Sequence, residues 1–360
     1  MERKLASIQK IQELVPIEGA DKIELAKILG YVVIVQKGDF KEGDFCVYVE
    51  ADSLLPTDNP RFAFLKNSKG KIERIKTIRM RGVYSQGIAF PLDILHDAES
   101  STEYCVITNS ICVFDKETGS CKGSLGEGSN VTDLLKITKY DPPEVDGLKQ
   151  GDILGPFPIF IPKSDEPSVQ SFPELLEELW NKPYMMTIKE DGTSATFYRK
   201  DGYIGVCSHK KEQKPGNNIY SSMMDKYGLS QILTDSKTDI AIQGEIVGPG
   251  VQKNRMRLKE LEFHIYDVFD IATNKYYNWE MLMTFLQTFP QLISVRPYMT
   301  GSSFNYSIEQ LINFSTQVAY QNNNPAEGLV IRPLTTVKSP TRRGERLSFK
   351  VLNPAYLAKN

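Results

Sequence analysis

The stretch from Pro183 to Ser208, PYMMTIKEDGTSATFYRKDGYIGVCS, constrains this chain more than any other. A strand-forming run, Tyr184 to Ile188, ends at Lys189-Glu190-Asp191-Gly192. Two further β-rich runs, Ala195 to Tyr198 and Tyr203 to Cys207, flank Lys200-Asp201-Gly202, which has the Asp-Gly composition of a tight turn. The whole stretch reads as a β-hairpin carrying one reactive lysine. That lysine, Lys189, stands two residues before an acid and three before a glycine that lets the backbone come close to a ligand. Lys-x-Asp-Gly is a short pattern, and the second copy, around Lys200, reads only as a turn with a solvated lysine. Sequence further downstream separates the two.

At 360 residues the chain has room for two domains, each burying its own core. A net charge of −2 excludes a broadly basic nucleic-acid binder, so any polyanion site must be a local cluster of Lys and Arg. Cys46, Cys105, Cys112, Cys121 and Cys207 are odd in number and lack paired C-x-x-C spacing, which predicts reduced thiols in an intracellular protein. The longest apolar runs, such as Tyr31 to Val35, are too short to span a bilayer, and no secretory leader is read at Met1-Glu2-Arg3-Lys4.

Residues 5 to 92 read as all-β, with short apolar runs between Gly-Asp turns, and suit a small barrel of the OB kind. Within them KNSKGKIERIKTIRMR, from Lys66 to Arg81, is basic and flanked by Phe62, Phe64 and Tyr84. It suits a phosphate backbone, and equally an edge strand protected by its lysines. Residues 96–128 turn polar and Gly/Ser-rich and read as an insertion with one possible hairpin. The Pro-rich passage at 155–167 is the expected interdomain connection, giving domains of 1–160 and 161–360. The second opens with a helix capped by Ser171, with Glu174 in a capping box and Leu175, Leu176, Leu179 and Trp180 on one apolar face. Further helices are expected over Trp279 to Phe289 and from Ser307, and the remainder reads as strands, an α+β architecture.

Four charged positions stand out. Glu245 lies in IAIQGEIV and Glu327 runs directly into an apolar strand; a buried carboxylate needs a cation or a metal, whereas a strand-edge Glu would face solvent. Asp267 follows Tyr266 in FHIYDVF, a strand that taken alone is more often core than stacking platform. Lys350 sits at the centre of LSFKVL, where an anionic ligand is a natural partner.

In order, Lys189-x-Asp191-Gly192, Glu245, Tyr266-Asp267, Glu327-Gly328 and Lys350 resemble motifs I, III, IIIa, IV and V of the covalent nucleotidyltransferases: ATP-dependent DNA ligases, RNA ligases and mRNA capping enzymes. The β-domain in front, with QGEIVGPGVQKNR and LSFKVLN, resembles the RNA ligases of the Naegleria and Deinococcus type, which have an N-terminal OB module. The expected fold is therefore an OB-like barrel followed by a nucleotidyltransferase domain of antiparallel sheets with flanking helices.

The resemblance implies ATP as co-substrate, AMP carried covalently on Lys189, and Mg²⁺ or Mn²⁺ held by Asp191, Glu245 and Glu327. Lys189, Lys350, Glu245 and Glu327 would be catalytic. Asp191, Gly192, Tyr266 stacked on adenine, and Arg255 would complete the nucleotide site. The partner would be RNA, nicked or broken, bearing 3′-OH and 5′-phosphate ends, and the protein a monomer acting in RNA repair. A DNA ligase, a guanylyltransferase, and a non-catalytic RNA-binding protein on the same scaffold stay open. Ser348 departs from the pattern, since such ligases often carry a lysine there, and Arg346 is too far along the strand to stand in for it.

Overall fold

A computed structural model describes residues 3–56, 58–70, 73–97, 102–107, 110–115, 117–140 and 152–359. By its contacts the chain divides into two units, Met1–Pro142 with Leu357–Asn360, and Pro143–Tyr356.

The first unit is built of strands. Ala6–Lys10 pairs antiparallel with Phe45–Val49, which pairs in turn with Ile88–Pro91. Glu13–Pro16, Ile23–Ile28 and Tyr31–Gln36 form a meander, and Thr77–Met80 makes a hairpin with Val83–Gln86. Phe45–Val49 explains the unit's two cores: Val47 and Val49 point into one with Ile8 and Phe62, Cys46 and Tyr48 into the other with Ile28 and Val33. A strand buried on both faces must be apolar throughout, as this one is. Where one possible hairpin is expected in 96–128, three strands form a meander: Thr102–Ile107, Ser110–Asp115 and Cys121–Leu125. Ile111 anchors it in the first of those cores.

Among the described residues the second unit holds two sheets. The larger contains, side by side, Lys211–Gln213, Tyr203–Ser208, Thr193–Lys200, Ile240–Val247 and Glu262–Asp270. Ile153–Pro156 pairs with Lys211–Gln213, so a strand lying before the expected boundary at 160/161 belongs to this sheet. The smaller runs Pro297–Gly301, Tyr184–Lys189, Gly328–Pro333, Phe349–Leu352.

This arrangement corrects the single hairpin expected over 183–208. Only Thr193–Lys200 and Tyr203–Ser208 form one, turning at Asp201 and Gly202 in left-handed conformations. Tyr184–Lys189 lies in the other sheet, and Glu190-Asp191-Gly192 carries the chain across.

Alternation then sorts the side chains. Phe197, Ile242, Ile246, Phe263 and Ile265 enter one core; Met186, Ile188, Leu329, Ile331, Phe349 and Val351 enter another. The opposite faces carry Ser194, Gln243, Glu245 and Tyr266 on the larger sheet, and Lys189, Arg332, Ser348 and Lys350 on the smaller.

Helices cover the outer faces. Ser307 and Gln310 form the expected capping box of Ile308–Gln317, and Asn278 caps Trp279–Thr288. The helix expected from Ser171 instead spans Glu174–Leu179, with Pro173 at its cap and no side-chain cap bond, because Ser171 and Phe172 already donate backward to Ser168 and Val169 in turns. Leu175 and Leu179 are buried, but Trp180 falls past the helix end in extended conformation and is 49% exposed.

Candidate active site

Lys189 closes its strand opposite Gly328, which brings it beside Glu327 on the neighbouring chain segment. Lys189 Nζ lies 2.8 Å from Glu327 Oε1. From the larger sheet, Glu245 is placed opposite Ser194, next to the crossover that Lys189 begins. Arg255 Nε is 3.6 Å from Asp191 Oδ2, and its guanidinium lies over the Tyr356 ring at 4.5 Å. Asn322 and Asn324 both donate to the Arg255 carbonyl, at 2.8 and 2.7 Å. The four expected residues of the crossover region, Lys189, Asp191, Glu245 and Glu327, are thus brought together electrostatically, with Arg255 at the edge.

Gly192 also has a packing purpose. A Cβ there would stand 2.3 Å from the Ile246 carbonyl oxygen and 2.6 Å from Glu245 Cγ. The close approach is to the chain's own strand, and it seats Glu245 against the crossover.

Charges in this region strongly affect one another. Burial works to lower the Lys189 pKa, but Glu327, Glu245 and Asp191 outweigh it and hold the ammonium above its ordinary range. Burial pushes Glu245 up to about 8; Lys189 opposes that, while Glu327, Glu190 and Asp191 reinforce it. Asp191 is also raised, by burial and by Glu327. The protein's own groups therefore keep the lysine protonated and unreactive.

Among the described residues no three His, Cys, Asp or Glu side chains converge into a group able to hold a metal ion. Asp191, Glu245 and Glu327 are consequently a loose acidic set rather than a ready cage. Such a set fits Mg²⁺ or Mn²⁺ kept largely hydrated and held through one or two carboxylates together with phosphate.

Tyr266 lies on the polar face with its hydroxyl 2.7 Å from Ser164 Oγ and 3.2 Å from Ser194 Oγ. Asp267 points into an ion-pair network instead: Arg346 grips it at 2.6 and 2.7 Å and Arg332 reaches it at 3.1 Å. Glu166 lies within 3.1 to 3.6 Å of Arg332, Arg342 and Arg346. Arg332 also donates to the Tyr266 carbonyl at 3.0 Å and to Ser348 Oγ at 3.1 Å. At the departing position Ser348 a guanidinium thus arrives from the adjacent strand. Lys350 is half-buried opposite Val330, its backbone fixed by Pro167 and Val169.

Three contributors escape sequence reading. Tyr320 donates its hydroxyl to the Lys189 carbonyl at 3.3 Å and accepts from the Glu327 amide at 3.3 Å, tying lysine and acid to one ring. His264 bridges Glu190 at 2.7 Å and Glu262 at 2.8 Å. Burial lowers its pKa, but the hydrogen bonds and charges of the two carboxylates prevail and raise it. Glu166, the third, gathers the arginines. The His264–Glu262 spacing on one strand face was a visible signal; Tyr320 and Glu166 offered none.

Two strand-built units, the second with a lysine and acids at a crossover between sheets, match known proteins over the whole length. A family model for an OB-fold domain matches residues 5–92 and the RNA ligase model matches residues 182–352. A solved mutant of the Naegleria gruberi RNA ligase with AMP and Mn is 31% identical, with a TM-score of 0.82 and 99% of each chain covered. Another mutant of that ligase, with ATP and Mn, gives the same identity, TM-score and coverage. The Naegleria ligase with PPi is 31% identical at a TM-score of 0.81, covering 100% of this chain and 99% of its own. No curated protein sequence matches the chain. The chain belongs to the RNA ligase family, with an OB-fold domain in front.

Proposed function

We propose that this chain is an ATP-dependent RNA ligase that works through AMP bound to Lys189. The contact that carries the reading is Lys189 Nζ at 2.8 Å from Glu327 Oε1, at a crossover lined by Asp191 and Glu245. The Naegleria relatives with ATP or AMP and Mn support ATP and a divalent ion as the cofactors here.

In the first step neutral Lys189 Nζ attacks the α-phosphorus of ATP. A P–N bond forms, the bond to the bridging oxygen breaks, and pyrophosphate leaves. An RNA 5′-phosphate oxygen then displaces the lysine and takes the AMP. Finally an RNA 3′-OH attacks that 5′-phosphate, forming the phosphodiester and releasing AMP.

An ordinary lysine is neutral in only about one molecule in 2,500 at pH 7, and the neighbouring acids make this fraction smaller. A divalent ion bound among Asp191, Glu245 and Glu327 would supply the positive field that reverses this bias and offsets phosphate charge. Such an ion would also compete with Lys189 for the Glu327 carboxylate, which now holds the ammonium at 2.8 Å. Lys350 is placed to offset charge growing on the α-phosphate, and Tyr266 offers its ring to the base. Repair of nicked or broken RNA is the role such chemistry serves.

Incubating the protein with α-labelled ATP or GTP and Mn²⁺ tests this reading. We expect protein-bound label from ATP that survives alkali and is released by acid, as a P–N bond requires, absent in Lys189→Ala, and sealing of nicked RNA. Sealing by the alanine variant, or label from GTP alone, would overturn it.

A further inference from the structure

After its last strand the chain turns back toward the site. Phe349–Leu352 ends with Leu352 opposite Gly328, and the next residue, Asn353, is fully buried. Its amide donates to the Glu327 carbonyl at 2.9 Å and its Nδ2 to the Ala326 carbonyl at 3.2 Å. Its own Oδ1 and carbonyl accept from the amides of Ala355 and Tyr356, at 2.9 and 3.0 Å. Asn353 therefore pins a single helical turn, Pro354–Leu357, against the segment that carries Glu327.

Tyr356, on that turn, is buried with its ring under the Arg255 guanidinium. Its hydroxyl is hydrogen-bonded to the Asp191 carboxylate and donates to it, the only role an ionised acid leaves it. Arg255 Nε stands 3.6 Å from the same carboxylate. Asp191 is thus drawn toward two donors, and among the described residues it makes no ion pair with Lys189, only two positions away in the chain. Lys189 pairs with Glu327 instead. A hydrogen bond to a charged acceptor is among the stronger kinds, and it is enough to decide which way a carboxylate turns.

We propose that Tyr356 is a positioning residue for the first chemical step: its hydroxyl holds Asp191 off Lys189, so that the ammonium has one paired carboxylate to leave rather than two. The proposal rests on the ligase reading and deepens it. Tyr356 acts through Asp191. Without the hydroxyl the carboxylate is free to turn onto Lys189, and a second acid paired with the ammonium holds it more tightly in the charged form. Attack on the α-phosphorus then slows, while the binding of ATP does not change.

The test is Tyr356→Phe, which keeps the ring under Arg255 and removes only the hydroxyl, with both proteins assayed below their melting temperatures. In single turnover the variant should form lysyl-AMP about 10-fold more slowly at saturating ATP, the lower end of what a hydrogen bond to a charged group spans. The ATP concentration giving half the maximal rate should stay as in the wild type. Sealing of nicked RNA supplied already adenylylated at its 5′-phosphate needs no lysine nucleophile, and should also keep the wild-type rate. A variant that slows both steps alike assigns Tyr356 a structural role and overturns the proposal. So does one that forms lysyl-AMP at the wild-type rate, or one whose loss lies in the half-saturating ATP concentration alone. Wild-type protein that takes no label from ATP would instead sink the ligase reading.

Discussion

Glu245 shows how a single buried acid ties stability to activity. Its pKa is raised from 4.5 to about 8, foremost by burial, so the folded protein holds this proton more tightly than the unfolded chain. Stability from that difference is complete below about pH 4.5 and is lost as pH rises toward 8, because the unfolded chain gives up its proton first. Glu245→Gln removes the dependence. In metal-free melting from pH 5 to 9, the variant should gain on the wild type as pH rises and stop gaining near pH 8, while losing adenylylation. A gap that stays constant with pH would contradict this. Tyr320 makes the milder case. Its two contacts, both 3.3 Å, are long, so Tyr320→Phe should slow single-turnover formation of lysyl-AMP by about 2- to 10-fold without lowering the melting temperature. An unchanged rate would show that the ring alone positions Lys189 and Glu327.

At the scale of elements, the crossover Glu190-Asp191-Gly192 matters most, since it turns one continuous stretch of sequence into two walls of a site. Gly192→Ala tests it. The added Cβ would press on the Ile246 carbonyl, a backbone atom of a buried strand that cannot swing aside. Overpacking of this kind costs about 1–3 kcal/mol. A denaturation midpoint lowered accordingly, with adenylylation impaired because Glu245 shifts, is the expected outcome; wild-type values for both would refute the packing role. The strands on each side were legible from alternation, and the Ile308–Gln317 helix from its Ser307–Gln310 box. Their assignment to different sheets was not, because alternation looks the same whichever partner a strand takes. Trp180 misled for a related reason. Helical spacing placed it on an apolar face, but the chain leaves the helix at that residue. Lys189 and its acids were readable as an ordered series, whereas Tyr320, Glu166 and Arg332 act through pairings that only the folded chain reveals.

For the molecule as a whole, the division of work between the units is open to experiment. The first unit exposes Lys66, Lys69, Lys76, Arg79 and Arg81. Among these cations Phe64 is 66% exposed, Ile78 45% and Met80 43%. Arg74 is engaged with Asp52 and the Arg81 guanidinium donates to the Gly19 carbonyl at 2.7 Å, whereas Arg79 makes only a long contact of 3.4 Å to Gly82 in its own hairpin and lies over the Tyr84 ring, so Lys76 and Arg79 are the better probes. An edge strand shielded from aggregation needs its charges but has no reason to expose Ile78 and Met80 beside them. Bases and phosphates presented together would use both. Replacing Lys76 and Arg79 by Ala should therefore weaken RNA binding and lower the slope of log affinity against log salt by roughly 0.7–0.9 for each phosphate left without its cation. Lys189 adenylylation should stay at the wild-type rate, because the charges that govern that lysine, Glu327, Glu245 and Asp191, all belong to the second unit. Sealing of nicked RNA should fall with binding. Unchanged salt dependence in the double variant would return this surface to the protective reading, and loss of adenylylation alongside sealing would show that the first unit contributes to nucleotide chemistry itself.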